Sequence, residues 1–256
     1  MTILKASHLT HYFGGLCAVS DFNLDLEPHE LLGIIGPNGA GKTTLFNIIT
    51  GVYRPSQGSM LFGGEEIAGL APHRITAMGI ARTFQNIRLF NDLSVLENIT
   101  IAQYGTTLYN PFEALFHMGR YRKEEARIRG RAHELLTLFK LDGLSEERAR
   151  NLPYGLQRRL EIVRALAAGP KLLLLDEPAA GMNPNEVDAL LEFIQWIRKE
   201  FSLTIILIEH QMRLVMSVCE RLKVLDFGTT IAEGLPAEIQ DNPRVLTAYL
   251  GEKVPV

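Results

Sequence analysis

Apolar positions recur along this chain in two rhythms. Phe22, Leu24 and Leu26 alternate with polar neighbours, the period of a strand with one buried face. Residues 31–35 are almost wholly apolar, as in a strand buried on both sides, and the glycine-rich stretch 36–41 follows them. From Lys42 the pattern predicts a helix through Phe46 and Ile49, with Gly51 and Pro55 as stop signals. Residues 55–58 predict a turn, 59–62 a short strand, and Gly63-Gly64 a hairpin turn. The first third therefore combines a small antiparallel sheet with a strand–loop–helix unit. Residues 95–103 read as helix and Tyr109-Asn110-Pro111 as a break. Residues 120–140 predict a long charged helix with Leu135, Leu138 and Phe139 as its apolar stripe, lying on the surface or serving as a docking face. The last third predicts helix at 157–168, buried strand at 172–176, helix at 184–199, and strands at 204–209 and 221–227. Strands separated by helices imply a parallel sheet covered on both faces, so the fold class is α/β.

Composition narrows the function. A chain of 256 residues suffices for one large domain or two intimate lobes. With 46% hydrophobic and 21% charged residues, disorder is excluded as the main state. Lys and Arg number 26 against 29 Asp and Glu, a net charge of -3, which argues against holding nucleic acid by bulk charge. Cys17 and Cys219 are too few for a disulfide framework and have no zinc spacing, so a reducing compartment is expected. The N-terminus carries no secretory pattern. The longest apolar runs, 172–175 and 205–208, fall far short of the roughly 18 residues needed to cross a bilayer. If the protein works at a membrane, something else holds it there.

Two segments carry chemistry. Gly36-Pro37-Asn38-Gly39-Ala40-Gly41-Lys42-Thr43 fits G-x-x-x-x-G-K-[ST], a loop whose backbone N–H groups cradle phosphate at a helix N-terminus. These residues and Thr44 are the candidate nucleotide-binding set. Lys42 would reach the β- and γ-phosphates, and the Thr43 hydroxyl would ligate Mg²⁺. The second segment is Leu172-Leu173-Leu174-Leu175-Asp176-Glu177, an apolar strand ending in two acids. Asp176 would stand beside the loop as a Mg²⁺ ligand. Because neighbours on an extended chain point opposite ways, Glu177 would face a water aligned on the γ-phosphate.

With these motifs the chain resembles the ATP-binding subunits of ABC transporters over nearly its whole length. The resemblance implies a P-loop NTPase core of the ABC type with an antiparallel β subdomain and an inserted α-helical subdomain. That is a single domain over 1–256, with catalytic core and β subdomain near 1–85 and 170–256 and helical subdomain near 86–169. It implies ATP and Mg²⁺ as cofactors. Gln85, in Thr83-Phe84-Gln85-Asn86, matches the glutamine that senses Mg²⁺ and joins the core to the helical lobe. His210 matches the switch histidine at the γ-phosphate, and Phe13, or its neighbour Tyr12, the aromatic that stacks on adenine. The signature segment, Leu-Ser-Gly-Gly-Gln in the family, reads Leu152-Pro153-Tyr154-Gly155-Leu156-Gln157 here. Pro153, Tyr154 and Leu156 depart from it; Gly155 remains. The segment acts in trans across a dimer, so these changes suggest pairing with a different ATPase and two unequal ATP sites. Residues 179–183 occupy the stretch that crosses the dimer, with Asn183 where aspartate is common.

Finer details resemble the branched-chain amino-acid uptake group: Phe13-Gly14-Gly15-Leu16, residues 176–184, Glu209-His210, and the tail from Ile239 to Tyr249-Leu250-Gly251. The insertion at 104–131 resembles the longer of that group's two ATPase subunits. The implied partners are a second ATPase subunit, two membrane permeases and, indirectly, an external substrate-binding protein, with no nucleic acid. The implied location is peripheral, on the cytoplasmic face of a prokaryotic plasma membrane. Urea or short-amide uptake and lipopolysaccharide export ATPases are the neighbouring readings; the export type is shorter in the middle. Soluble ABC ATPases acting on ribosomes or DNA usually carry two ATPase units or a long coiled coil, and neither is present. Leu89, Phe90 and Leu93 read equally as core or as a groove for a permease helix.

Overall fold

The computed structural model describes residues 2–107, 111–116 and 119–250; Tyr109, Asn110 and Gly251 lie outside them. Its strands are β1 (Leu4–Phe13), β2 (Leu16–Leu26), β3 (Leu31–Ile35), β4 (Gln57–Phe62), β5 (Glu65–Glu66), β6 (Ile80–Arg82), β7 (Leu172–Asp176), β8 (Thr204–Ile208), β9 (Arg221–Asp226) and β10 (Thr229–Gly234). The α-helices are α1 (Lys42–Ile49), α2 (Pro72–Met78), α3 (Val95–Gln103), α4 (Pro111–Leu115), α5 (Gly119–Leu138), α6 (Tyr154–Ala167), α7 (Pro184–Glu200), α8 (Met212–Val218), α9 (Pro236–Gln240) and α10 (Pro243–Leu250).

Two sheets organise them. The larger runs β10-β9-β3-β8-β7-β6, with β9, β3, β8, β7 and β6 parallel and β10 antiparallel at one edge. The smaller, β2-β1-β4-β5, is antiparallel. The inner strands are apolar throughout because each feeds two cores. Leu31, Ile35, Leu173, Leu175, Ile205 and Leu207 join a cluster that includes Ile162, Leu166, Ile194 and Val215. Their neighbours Leu32, Ile34, Leu172, Leu174, Ile206 and Ile208 join a second cluster with Leu45, Phe46 and Phe22. Alternation of side chains across each strand divides them in this way. The second face is thus covered by α1 together with the antiparallel sheet, where the pattern had suggested helices on both faces.

The boundaries shift at intelligible places. The strand expected at 59–62 begins at Gln57. The helix expected from 157 begins at Tyr154, where the Gln157 N–H already donates to the Pro153 carbonyl at 3.0 Å. The strand expected to reach Phe227 stops at Asp226, because Phe227 (φ 41°) and Gly228 (φ 79°) form a two-residue turn with both φ positive.

The apolar stripe of α5 needs correcting. Ile128, Ala132, Leu135, Leu136 and Phe139 are buried, while Leu138 is exposed. Spacings of four, three, one and three residues keep one helical face inward, and Leu138 falls outside that face. Phe139 closes the stripe against aromatic neighbours, 5.3 Å from Trp196 and 5.6 Å from Phe193 between ring centroids. Leu136→Ala is therefore expected to lower unfolding stability by about 2–5 kcal/mol. Leu138→Ala should stay within about 0.5 kcal/mol. Urea titrations of the two variants measure the difference.

Candidate nucleotide site

The loop after β3 is held by close backbone approaches. A Cβ on Gly36 would stand 2.1 Å from the Leu225 carbonyl oxygen, and one on Gly41 2.4 Å from that of Ala18, so neither position admits a side chain. Gly41, at φ 100°, is also the N-cap of α1. The Gly228 N–H donates to the Ala40 carbonyl at 3.0 Å and the Ala40 N–H to that of Pro37 at 3.2 Å. The first turn of α1 has no side-chain cap and no acidic residue, which leaves its positive end open to an anion. The Lys42 ammonium is buried and donates to the carbonyls of Gly36 at 2.7 Å and Pro37 at 3.0 Å. Burial lowers its pKa, and the negative charges of Glu177 and Asp176 oppose that shift. This cradle suits a polyanion such as a triphosphate.

Asp176 ends β7 beside this loop, and sequence reasoning did not foresee its partner. Its Oδ2 accepts from the Arg82 guanidinium at 2.6 Å, and both side chains are 5% exposed. Arg82 also donates to Asn47 Oδ1 at 2.7 Å, with its charged carbon 5.3 Å and 5.0 Å from the ring centres of Phe46 and Phe84. The carboxylates of Asp176 and Glu177 do diverge, but strand alternation is not the cause. Glu177 has φ 45°, a left-handed turn that leaves the strand, and its N–H donates to the Ile208 carbonyl at 2.9 Å. Its Oε2 accepts from Gln85 Nε2 at 2.9 Å and lies 3.6 Å from His210 Nδ1. Glu209, fully buried behind them, accepts from the backbone N–H of Ala179 at 3.0 Å and of His210 at 3.3 Å. Burial raises its pKa, against those two hydrogen bonds and His210.

A cavity of about 610 Å³ opens beside the loop, and its lining does not include Gly36, Pro37, Asp176 or His210. Asn38, Gly39, Ala40, Gly41, Lys42, Thr43, Thr44, Gln85, Glu177 and Phe13 all line it. Phe13 is 41% exposed and held edge-on by His11 and Tyr53, at 4.7 and 5.2 Å between ring centres. Tyr12, the alternative stacking residue, is exposed but outside the lining, whereas the unforeseen Phe227 belongs to it.

Among the described residues, none of Pro153, Tyr154, Gly155, Leu156 and Gln157 lines that cavity. Pro153, Gly155 and Leu156 line another, of about 260 Å³, together with Met182 and Phe193. Gln157 is turned back to donate to the Leu152 carbonyl at 2.8 Å. Asn183 caps α7, accepting from the Glu186 N–H at 3.1 Å while the Glu186 carboxylate accepts from the Asn183 N–H at 2.9 Å. Leu89 packs against the core, while Phe90 is exposed beneath the Arg164 guanidinium, 5.6 Å from its ring centre.

Residues 19–180 match the ABC transporter family. The chain belongs to the ABC transporter ATP-binding family. Residues 229–255 match a second description, the branched-chain amino acid ATP-binding cassette transporter. Over 250 residues, 98% of each chain, this ABC ATPase is 45% identical to the high-affinity branched-chain amino acid transport ATP-binding protein BraF of Pseudomonas aeruginosa. It is 44% identical to LivG, of the same description, from Escherichia coli K12, again over 98% of each chain. The lipopolysaccharide export ATP-binding protein LptB of Haemophilus influenzae is 34% identical over 99% of each chain. A nucleotide-free ATP-binding cassette from an ABC transporter superposes with TM-score 0.85 at 31% identity, over 98% of this chain and 100% of that one. This ABC ATPase therefore binds and hydrolyses ATP.

The Arg82–Asp176 pair sets a stability expectation for the ABC ATPase. Arg82→Met leaves Asp176 a buried, unpaired carboxylate and should lower unfolding stability by about 3–5 kcal/mol. Adding Asp176→Asn should recover part of that loss. A double-mutant cycle by chemical denaturation measures the coupling.

Proposed function

We propose that this ABC ATPase is the longer of two ATPase subunits powering a branched-chain amino-acid importer. The observation that carries the reading is the match of residues 229–255 to the branched-chain amino acid description, at the end of a chain alike throughout to transport proteins of that name. Its partners are a second ATPase subunit and two membrane permeases, served by an external binding protein. Among the described residues no helix is long and apolar enough to cross a membrane. The permeases hold the chain at the cytoplasmic face, with residues 86–169 acting as the helical lobe between them and a core formed by 1–85 and 170–256.

The residues act as follows. The backbone amides of 36–44 other than Pro37, together with the Lys42 ammonium, grip the triphosphate of ATP, and Phe13 stacks on adenine. Thr43, Gln85 and Asp176 would hold Mg²⁺, which would offset the negative charge of the phosphates. Glu177 aligns the attacking water and takes its proton, and His210 donates to the γ-phosphate. Gln85 already touches Glu177, so movement of the helical lobe reaches the water-aligning carboxylate directly. Residues 153–157 close over ATP held by the partner ATPase. Transport energy comes from the difference in affinity of ATP and ADP for closed and open dimers.

The signature segment makes the two ATP sites unequal, because Pro153 has neither hydroxyl nor N–H to offer the partner's nucleotide. Glu177→Gln should lower turnover about 10²–10⁴-fold while calorimetry still detects ATP binding. The matching change in the partner ATPase should cost far less, and equal losses would refute the inequality. Uptake of labelled leucine and labelled urea by cells with and without this chain tests the substrate. Loss of leucine uptake alone is expected, and loss of urea uptake alone would overturn the assignment.

A further inference from the structure

Tyr154 stands in the signature segment, yet its hydroxyl is directed into its own chain. It donates to the Ala180 carbonyl at 2.9 Å. It also lies 3.8 Å from where a Cβ of Gly181 would be, so it rests against the turn that follows Glu177. From behind, Arg158 Nη2 donates to the same oxygen at 3.3 Å. Arg158 is fully buried on α6. Its remaining hydrogen bonds run to the carbonyls of Phe84 at 2.7 Å and Gln85 at 2.8 Å, and to Glu161 at 2.8 Å.

These bonds close a ring. The Gln85 side chain donates to the Glu177 carboxylate, and the Gln85 carbonyl accepts from Arg158. Arg158 donates to Tyr154, and Tyr154 to the Ala180 carbonyl. The Ala180 N–H returns to the Glu177 carbonyl at 3.2 Å. Within the ring Glu177 carries left-handed backbone, at φ 45°. Such backbone persists only where its surroundings hold it. Glycine at 154, as in the family pattern, would have no side chain to supply this contact, and phenylalanine could fill the space without the bond.

We propose that Tyr154 is a positioning residue acting in cis: its hydroxyl fixes the turn at 177–181 and so aims Glu177 of the same chain. The proposal rests on the reading of Glu177 as the water-aligning carboxylate. It assigns a residue of the trans-acting segment a role in its own chain's ATP site.

The test uses Tyr154→Phe, which keeps the ring and removes the hydroxyl. In the purified full-length chain, amide hydrogen exchange at 179–182 should quicken several-fold while the later turns of α6 keep their protection. Unchanged exchange at 179–182 overturns the strut. Turnover is then read in the assembled transporter with one ATP site silenced at a time. With the partner's water-aligning acid changed to glutamine, Tyr154→Phe should lower kcat about tenfold, the worth of one hydrogen bond at the reacting geometry, with KM for ATP unchanged. With Glu177→Gln silencing this chain's site, Tyr154→Phe should lower the partner site's residual rate by less than it lowers that of this chain's own site. A loss confined to the partner site would make Tyr154 a trans residue, and equal losses at both sites would make it merely structural; either result overturns the proposal. If Glu177→Gln alone leaves turnover intact, the reading of Glu177 falls, and the exchange result alone decides whether the strut exists.

Discussion

The geometry of the site depends on backbone lying against backbone. A side chain at Gly36 would collide with the Leu225 carbonyl and one at Gly41 with that of Ala18, so the loop between them takes its path only with glycine at both ends. That path leaves the first turn of α1 without a cap and holds the Lys42 ammonium inside the curl. The strands supply the rest. Gly36 follows β3, Gln85 follows β6, Asp176 ends β7, and His210 follows β8. Four adjacent parallel strands thus deliver their loops to one edge of the sheet, the carboxyl edge at which open α/β sheets bind ligands.

Buried charge gives this edge its rigidity. Asp176 is paired with Arg82, Arg158 with Glu161, and Glu209 holds two backbone amides of the loops beside it. Such groups pay a large desolvation penalty, and well-packed apolar residues would often be as stable. Their arrangement here suits a different purpose. Each charged group fixes a segment at this edge of the sheet: Arg82 orients Asp176, Arg158 holds the carbonyls of Phe84 and Gln85, and Glu209 ties residue 179 to residue 210. Loops carry high entropy, and hydrogen bonds of fixed direction restrain them better than non-directional apolar contact.

The sequence made some of this legible and hid the rest for physical reasons. The runs at 31–35, 172–175 and 205–208 stood out because burial on both faces leaves no polar position to confuse the period. The phosphate loop was readable because its glycines answer local steric demands. Strand β1 was not readable, since register shifts between Ala6 and Leu9 and between Leu9 and His11, with His8 at φ 52°, break its alternation. On α5, Leu138 looked like stripe because leucine is apolar, but only the three-dimensional neighbours decide that Leu136 faces inward. Arg82, Arg158 and Glu209 carried no local signal, as their partners lie 94, 74 and 30 positions away for Asp176, Phe84 and Ala179. The one available hint was the rarity of a charged residue inside an otherwise buried segment.

The signature segment shows how a departure from a family pattern can redistribute interactions. Pro153 caps α6 without a side-chain bond, and the first turn holds no acid, so the helix still offers backbone amides to an anion. What it has given up is the hydroxyl of a serine. The next residue gains a phenolic hydroxyl, but that group is turned away from the helix N-terminus and bonded to Ala180. On the reading proposed above, donors that would have served the partner's nucleotide have been exchanged for a contact serving this chain's own. Under that reading the exchange favours one ATP site over the other only where the partner is a different protein. In a homodimer each copy would weaken its neighbour's site while stiffening its own. Paired with an unlike ATPase, the chain can concentrate hydrolysis at the site containing Lys42 and Glu177, while the second site contributes chiefly by holding the dimer closed.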